Sequence, residues 1–237
     1  MSNRNIALIG VSNFLGKSTA YILLKDGYRV SITSRNEKKL EQIRSSLEKL
    51  GEIFSVPGSI TDPVSADVTM ENVNSRLGGI DHVVVMIGGF VNDTITDPTG
   101  LESMIQNHIF FTTYTVRSAI KYLHNGSSIV LVANTGSIDH GDPKAYSYSI
   151  AKAGVARMTE LLCSELIPRG IRVNAVAPNY IDSSFEAGRD WRSTRKLGDI
   201  KTPPEDIAVV IKWLVSQDSG WVNGAVIPVD GGYRLKK

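Results

Sequence analysis

Tyr148 and Lys152 stand four residues apart in Ala145-Tyr-Ser-Tyr148-Ser-Ile-Ala-Lys152-Ala-Gly, which makes them neighbours on one face of a helix. A phenol with an ordinary pKa near ~10 is a poor proton carrier at neutral pH. An ammonium held beside it favours the phenolate and brings it toward the working range. The pair could therefore give a proton to, or take one from, an oxygen of a bound molecule. Spacing alone does not select it, because Tyr21/Lys25 and Tyr233/Lys237 repeat it. Context does. Only Tyr148/Lys152 follows a buried-looking strand, Ser128-Ile-Val-Leu-Val-Ala133, that ends in the hydroxyl-bearing run Asn134-Thr135-Gly-Ser137, and only it precedes a second apolar strand at 171–178. Carboxyl ends of parallel strands are where open sheets place ligands.

A second constellation lies near the amino end. Gly10-Val-Ser12-Asn13-Phe14-Leu15-Gly16 follows the apolar run 6–9 and precedes a helical pattern. A glycine turn from strand into helix aims free backbone N–H groups and the positive end of the helix dipole at one point, a geometry that binds a pyrophosphate. Two glycines at this spacing also occur in ordinary strand–helix turns, and it is the place after the first strand that favours a nucleotide. The next apolar run ends in Ser34-Arg35-Asn36. At the tip of the second strand of a dinucleotide-binding unit an acidic residue receives the ribose 2′-hydroxyl, whereas an arginine suits a 2′-phosphate. Arg35 with Ser34 thus points to NADP(H) over NAD(H).

The elements that must hold these residues are legible as a rhythm. Apolar runs at 6–9, 29–33, 52–56, 81–87, 128–133, 172–177 and 225–229 alternate with helical patterns at 16–26, 37–50, 63–77, 98–124, 143–167 and 204–217. Strand–helix alternation with short, wholly apolar strands predicts an α/β, Rossmann-like, doubly wound parallel sheet with helices on both faces. A chain of 237 residues fits this as a single domain, 1–237. The polar stretch 179–203, carrying Phe185 and Trp191, is long for a structureless connection and reads as a lid or as a hidden short helix.

Composition removes several alternatives. The formal net charge is +2 and no Lys/Arg-rich run stands out, which argues against a nucleic-acid partner. Cys163 is the single cysteine, so neither an internal disulfide nor a cysteine metal cluster is available, and no metal is expected. The run 6–9 is too short for a signal peptide, and no run approaches the ~18 apolar residues of a membrane helix. A cytoplasmic protein with no membrane partner is the expectation.

Over essentially its whole length the chain resembles the short-chain dehydrogenase/reductase family. The matching motifs are Tyr148-Ser-Ile-Ala-Lys152-Ala, Glu165-Leu-Ile-Pro-Arg-Gly-Ile-Arg-Val-Asn-Ala-Val-Ala-Pro178, Pro204-Glu-Asp-Ile-Ala and Gly224-Ala-Val-Ile-Pro-Val-Asp-Gly-Gly-Tyr233, in the family's order. The resemblance implies a seven-stranded sheet, a homodimer or homotetramer, and a small carbonyl or alcohol substrate. It implies Tyr148 as general acid/base, Lys152 as its electrostatic partner and ribose ligand, and Asn107 as a member of a proton-relay water chain. The family's substrate-orienting serine falls on Thr135, with Ser137 as rival. The cofactor neighbours it implies are Gly10, Ser12, Asn13, Phe14, Leu15, Gly16, Ser34, Arg35, Ser59, Ile60, Gly88, Tyr148, Lys152, Pro178 and Ile181.

Several positions depart from the family pattern. Phe14 replaces the middle glycine of the nucleotide loop and could crowd the pyrophosphate. Val85-Met86-Ile87-Gly88 stands for Asn-Asn-Ala-Gly, Ser59 for an adenine-facing Asp, and Pro178-Asn179 for Pro-Gly. Phe14 and Pro178-Asn-Tyr180 are similar to halohydrin dehalogenases, which keep the fold without a nicotinamide. Those relatives carry Arg where Lys152 stands, and a phosphate-directed Arg35 has no use there. A non-catalytic nucleotide-binding relative is the third reading, and the retained Asn107, Tyr148 and Lys152 count against it. Phe90, Ile138, His140, Tyr180, Phe185 and Trp191 are candidates for the substrate wall.

Overall fold

The computed structural model describes residues 4–236, the side chain of Ser137 excepted. Lys237 and Ser137, each named above as a rival, therefore lie outside the described residues. Seven parallel strands form one sheet: β1 (Asn5–Ile9), β2 (Arg29–Thr33), β3 (Ile53–Ser55), β4 (His82–Val85), β5 (Ser128–Val132), β6 (Arg172–Pro178) and, after two short strands, β9 (Val226–Val229). Their order is β3-β2-β1-β4-β5-β6-β9. Chain direction through the sheet therefore reverses between β1 and β4, and open α/β sheets bind ligands at such a switch point.

The period-two geometry of a strand splits each apolar run between two cores. In β1, Ala7 and Ile9 enter one core while Ile6 and Leu8 enter the other. The first core is closed by helices α3 (Pro63–Leu77), α5 (Phe111–Ala119) and α6 (Tyr146–Leu166). The second is closed by α1 (Leu15–Lys25), α2 (Glu37–Leu47) and α8 (Pro204–Val215). Ile9 is level with Thr33 and Val85, Val85 with Leu131, and Val132 with Val176. The loops that leave these strands consequently open along one edge of the sheet.

Helix ends follow their local chemistry, with two informative exceptions. Asn36 caps α2 by accepting the Lys39 N–H at 2.9 Å. Asp62 and Ser65 form a reciprocal capping box on α3, with Pro63 at its first turn. Neither Phe14 before α1 nor Ala145 before α6 supplies a side-chain cap. These two helices begin at the edge where the loops gather.

The stretch expected to be one helix at 98–124 is interrupted. α4 (Leu101–Ile105) passes through a π turn, Gln106–Phe110, before α5. One widened turn rotates side chains out of register with the flanking α-helix, and such turns are frequent at functional sites. Within 179–203 lie strand β7 (Tyr180–Ile181), a short helix α7 (Trp191–Thr194) and strand β8 (Lys201–Thr202), with β7 paired to β8. Among the described residues no helix is long and apolar enough to cross a membrane.

Candidate active site

Two cavities open at the carboxyl edge of the sheet, of about 420 and about 400 Å³. Ser12 and Gly88, from the loops after β1 and β4, line both and mark where they meet.

The first cavity is lined by Gly10, Ser12, Asn13 and Phe14, by Ser34 and Arg35, and by Ile60, Gly88 and Asn107. The turn into α1 is forced by packing. Gly10 has φ +83°, and a Cβ there would lie 2.7 Å from the Ile87 nitrogen. A Cβ on Gly16 would lie 2.8 Å from the Val11 Cα, so Gly16 serves the close approach of helix and loop and does not line the cavity. The first-turn N–H groups of α1 have no side-chain acceptor and carry the positive end of the helix dipole. Phe14 forms part of the cavity wall and is 40% exposed.

Arg35 and Lys39 are the charged side chains lining this cavity, and neither makes an ion pair among the described residues. Lys39 was not foreseen. It lies one turn beyond Arg35 at the start of α2, and i, i+4 spacing from Arg35 was the available signal. Ser59, placed by resemblance against an adenine, is exposed and absent from the wall, where Gly58, Ile60 and Thr61 stand instead.

The second cavity holds Tyr148 and Lys152 with Leu15, Pro178 and Ile181. Lys152 is 4% exposed, lies 5.8 Å from the centre of the Tyr148 ring, and donates from Nζ to the Val132 carbonyl at 2.7 Å. The rings of Phe90 and His108 meet Tyr148 edge-on at 5.0 and 5.6 Å. Burial pushes the Tyr148 phenol above its ordinary range, with Tyr180 adding to it, and pushes Lys152 down to about 7. The expected lowering of the phenol by its neighbour does not arise here: desolvation dominates both groups and favours the neutral form of each. Tyr21 and Lys25 show nearly the same contact, 5.5 Å from Nζ to the ring centre. They line neither cavity, so the surroundings and not the pair distinguish Tyr148/Lys152.

Asp93 sets where Tyr148 sits. It is 6% exposed, and its carboxylate accepts the Ser147 N–H at 3.0 Å, the Ser147 hydroxyl, and the Gly100 N–H at 3.0 Å. This carboxylate caps α6 from another loop, where Ala145 cannot. Asp93→Ala leaves a hydroxyl and two N–H groups without their acceptor. It is expected to cost about 2 kcal/mol of stability, read by urea unfolding.

The remaining expected residues fall as follows. Thr135 is 1% exposed and its hydroxyl leans 3.5 Å toward the Pro178 carbonyl, while Asn134 and Gly136 line the second cavity on either side of it. Of the candidates for a substrate wall, Phe90 and Tyr180 line the cavity, at 49% and 56% exposed. Phe185 instead packs on Tyr21, and Trp191 donates to Asp206 at 3.1 Å. Ile138 and His140 are outside the wall.

Comparison with known proteins agrees with this geometry. Residues 10–234 match the family described as Enoyl-(Acyl carrier protein) reductase. The chain is 31% identical to the 3-oxoacyl-(acyl-carrier-protein) reductase FabG of Thermotoga maritima, covering 95% of each. It is 26% identical to the meso-2,3-butanediol dehydrogenase of Serratia marcescens, covering 97% of this chain and 94% of that one. Among solved structures, a short-chain dehydrogenase/reductase of the glucose/ribitol dehydrogenase type from Brucella melitensis superposes with a TM-score of 0.84 at 26% identity. That match covers 98% of this chain and 96% of the other. With its sheet order, its paired cavities and these relatives, the chain belongs to the short-chain dehydrogenase/reductase family, oxidoreductases that use a nicotinamide cofactor.

Proposed function

We propose that this protein interconverts a carbonyl and an alcohol with NADP(H), Tyr148 acting as the general acid/base. One observation carries the proposal: the cavity that holds Tyr148 and Lys152 meets, at Ser12 and Gly88, the first cavity, whose charged side chains among the described residues are Arg35 and Lys39. The uncapped start of α1 suits a pyrophosphate, and two cations without carboxylate partners suit a 2′-phosphate. The bound nicotinamide would supply or receive the hydride. In reduction, the Tyr148 hydroxyl gives its proton to the substrate oxygen, and the Lys152 ammonium stabilises the phenolate that results. Thr135 orients that oxygen by turning about χ1 away from the Pro178 carbonyl. Asn107 lines the first cavity and not the one that holds Tyr148 and Lys152; its part would be to continue the proton path from Lys152. A halide pocket would have no use for Arg35 and Lys39, and this favours reduction over cofactor-free halohydrin chemistry.

Titration with NADPH and NADH separately tests this. NADPH is expected to bind at least about tenfold more tightly, as one or two charge-assisted hydrogen bonds allow. Arg35→Asp is expected to weaken NADPH by about 30-fold or more and to leave NADH at least as tight as before. Failure of both nucleotides to bind below the millimolar range removes the proposal. Tighter NADH than NADPH binding in the unaltered protein removes the role of Arg35.

A further inference from the structure

Charge is divided unequally between the two cavities. Arg35 and Lys39 stand in the wall of the first, whereas the second carries, among the described residues, the cation Lys152 and the carboxylate Asp142. Lys152 is 4% exposed, its Nζ is committed to the Val132 carbonyl, and burial presses it toward neutrality. His108, in the same wall, is kept in its neutral form, chiefly by burial. A carboxylate or phosphate entering this cavity would give up its water without gaining an open cation. Desolvation with no partner is what excludes a charge. The second cavity suits an uncharged occupant.

The rest of its wall narrows the choice. Leu15, Met86, Val132 and Ile181 line it together with Phe90 and Tyr180. The Phe90 ring lies 5.0 Å from that of Tyr148, and Tyr180 is near enough to help raise the Tyr148 phenol. Both nevertheless keep about half of their surface open. Neither is loose at its root. Tyr180 belongs to β7, which is paired with β8. Phe90 stands three residues before Asp93, whose carboxylate accepts from Ser147 and Gly100. Rings anchored in this way lose little freedom when a ligand covers them. An aromatic ligand gains more against them than an aliphatic one of equal area, because edge-on and offset ring contacts add to burial.

We propose that Phe90 and Tyr180 are specificity-determining residues, and that the substrate is an uncharged carbonyl compound with an aromatic arm packed against their rings. The carbonyl carbon takes the hydride, its oxygen takes the Tyr148 proton, and the arm is unchanged. The reaction rests on the function proposed above, whereas the choice of arm and charge rests on the cavity wall.

Ethyl benzoylformate, ethyl pyruvate and benzoylformate separate the two claims. The two esters share the reacting carbonyl and differ in phenyl against methyl. The two phenyl compounds differ in ester against carboxylate. With the full-length protein and NADPH, the KM for ethyl benzoylformate is expected to lie at least about tenfold below that of either other compound. Phe90→Ala and Tyr180→Ala are each expected to narrow the phenyl-over-methyl preference by about fivefold. Tyr180→Phe, which keeps the ring, is expected to preserve it within about twofold. Should an alanine variant fail to fold, the leucine variant at the same position replaces it, since leucine fills the space without a ring. A preference for ethyl benzoylformate below about threefold over either compound overturns the proposal, and so does a phenyl preference that neither position moves. If no carbonyl is reduced with either nucleotide, the Kd values of ethyl mandelate, ethyl lactate and mandelate, read by ligand-observed NMR, decide by the same ratios. The expected ratios without turnover mean that the oxidoreductase reading fails and the cavity assignment stands.

Discussion

Tyr148→Phe is expected to lower kcat by about a thousandfold with NADPH and a carbonyl substrate, while the Kd for NADPH changes less than about threefold. The substitution removes one oxygen and keeps the ring. The edge-on contacts with Phe90 and His108 and the packing of α6 survive, so a loss confined to kcat isolates the proton. In the unaltered enzyme the same chemistry carries a pH dependence of known sign. Burial keeps the Tyr148 phenol protonated far above neutrality, whereas Lys152 is pushed down to about 7. Only charged Lys152 can stabilise the phenolate left by proton donation. The kcat/KM of reduction, which reports the free enzyme, is therefore expected to fall as pH rises past that value. A Tyr148→Phe protein that keeps a tenth or more of its turnover would show that another group delivers the proton, and a rate flat from pH 6 to 9 would remove Lys152 from the step.

Arg189→Leu is expected to cost about 3–5 kcal/mol of stability, the largest loss foreseen for a single side chain here. Glu205 opens α8 at 1% exposure, and Arg189 grips it with two bonds of 2.6 and 2.8 Å. Arg189 also donates to Ser184 at 2.7 Å. One guanidinium thus ties the connection after β7 to the start of α8. Leucine at 189 strands a carboxylate out of water with no cation to balance it, and desolvation without compensation is what makes such changes severe. Restoring neutrality with Glu205→Leu in the same chain is expected to recover more than half of the loss, since two apolar side chains bury without penalty. Urea unfolding of the two single variants and the double variant measures the coupling directly. Single-variant losses under about 1 kcal/mol would mean that the pair stays hydrated and does not anchor this segment.

Much of this protein is written in local pattern. All seven sheet strands were legible because a strand buried on both faces must be apolar throughout, and the helices between them because one stripe of each must face the sheet. Pro63 after Asp62, and Asn36 before α2, mark helix starts by chemistry that acts within three residues. The places of Tyr148 with Lys152, Gly10 and Arg35 in the cavity walls were legible for a similar reason: each proposed role needs a particular residue type at a fixed short distance along the chain.

What tertiary structure decided involves partners far apart in sequence. Tyr21/Lys25 has the same spacing and nearly the same geometry as Tyr148/Lys152, and only the cavity tells them apart. Asp93 caps a helix that begins more than fifty residues later, so no window of sequence could assign it. Glu205 stood in a motif without a reason until Arg189 was found against it. The π turn at 106–110 keeps the apolar rhythm of a helix and is invisible to periodicity, yet it carries Asn107 to one cavity and His108 to the other. Hydrophobic pattern specifies which face of an element is buried. Which polar groups meet once it is buried depends on how the elements stack, and that is where the chemistry of this site is set.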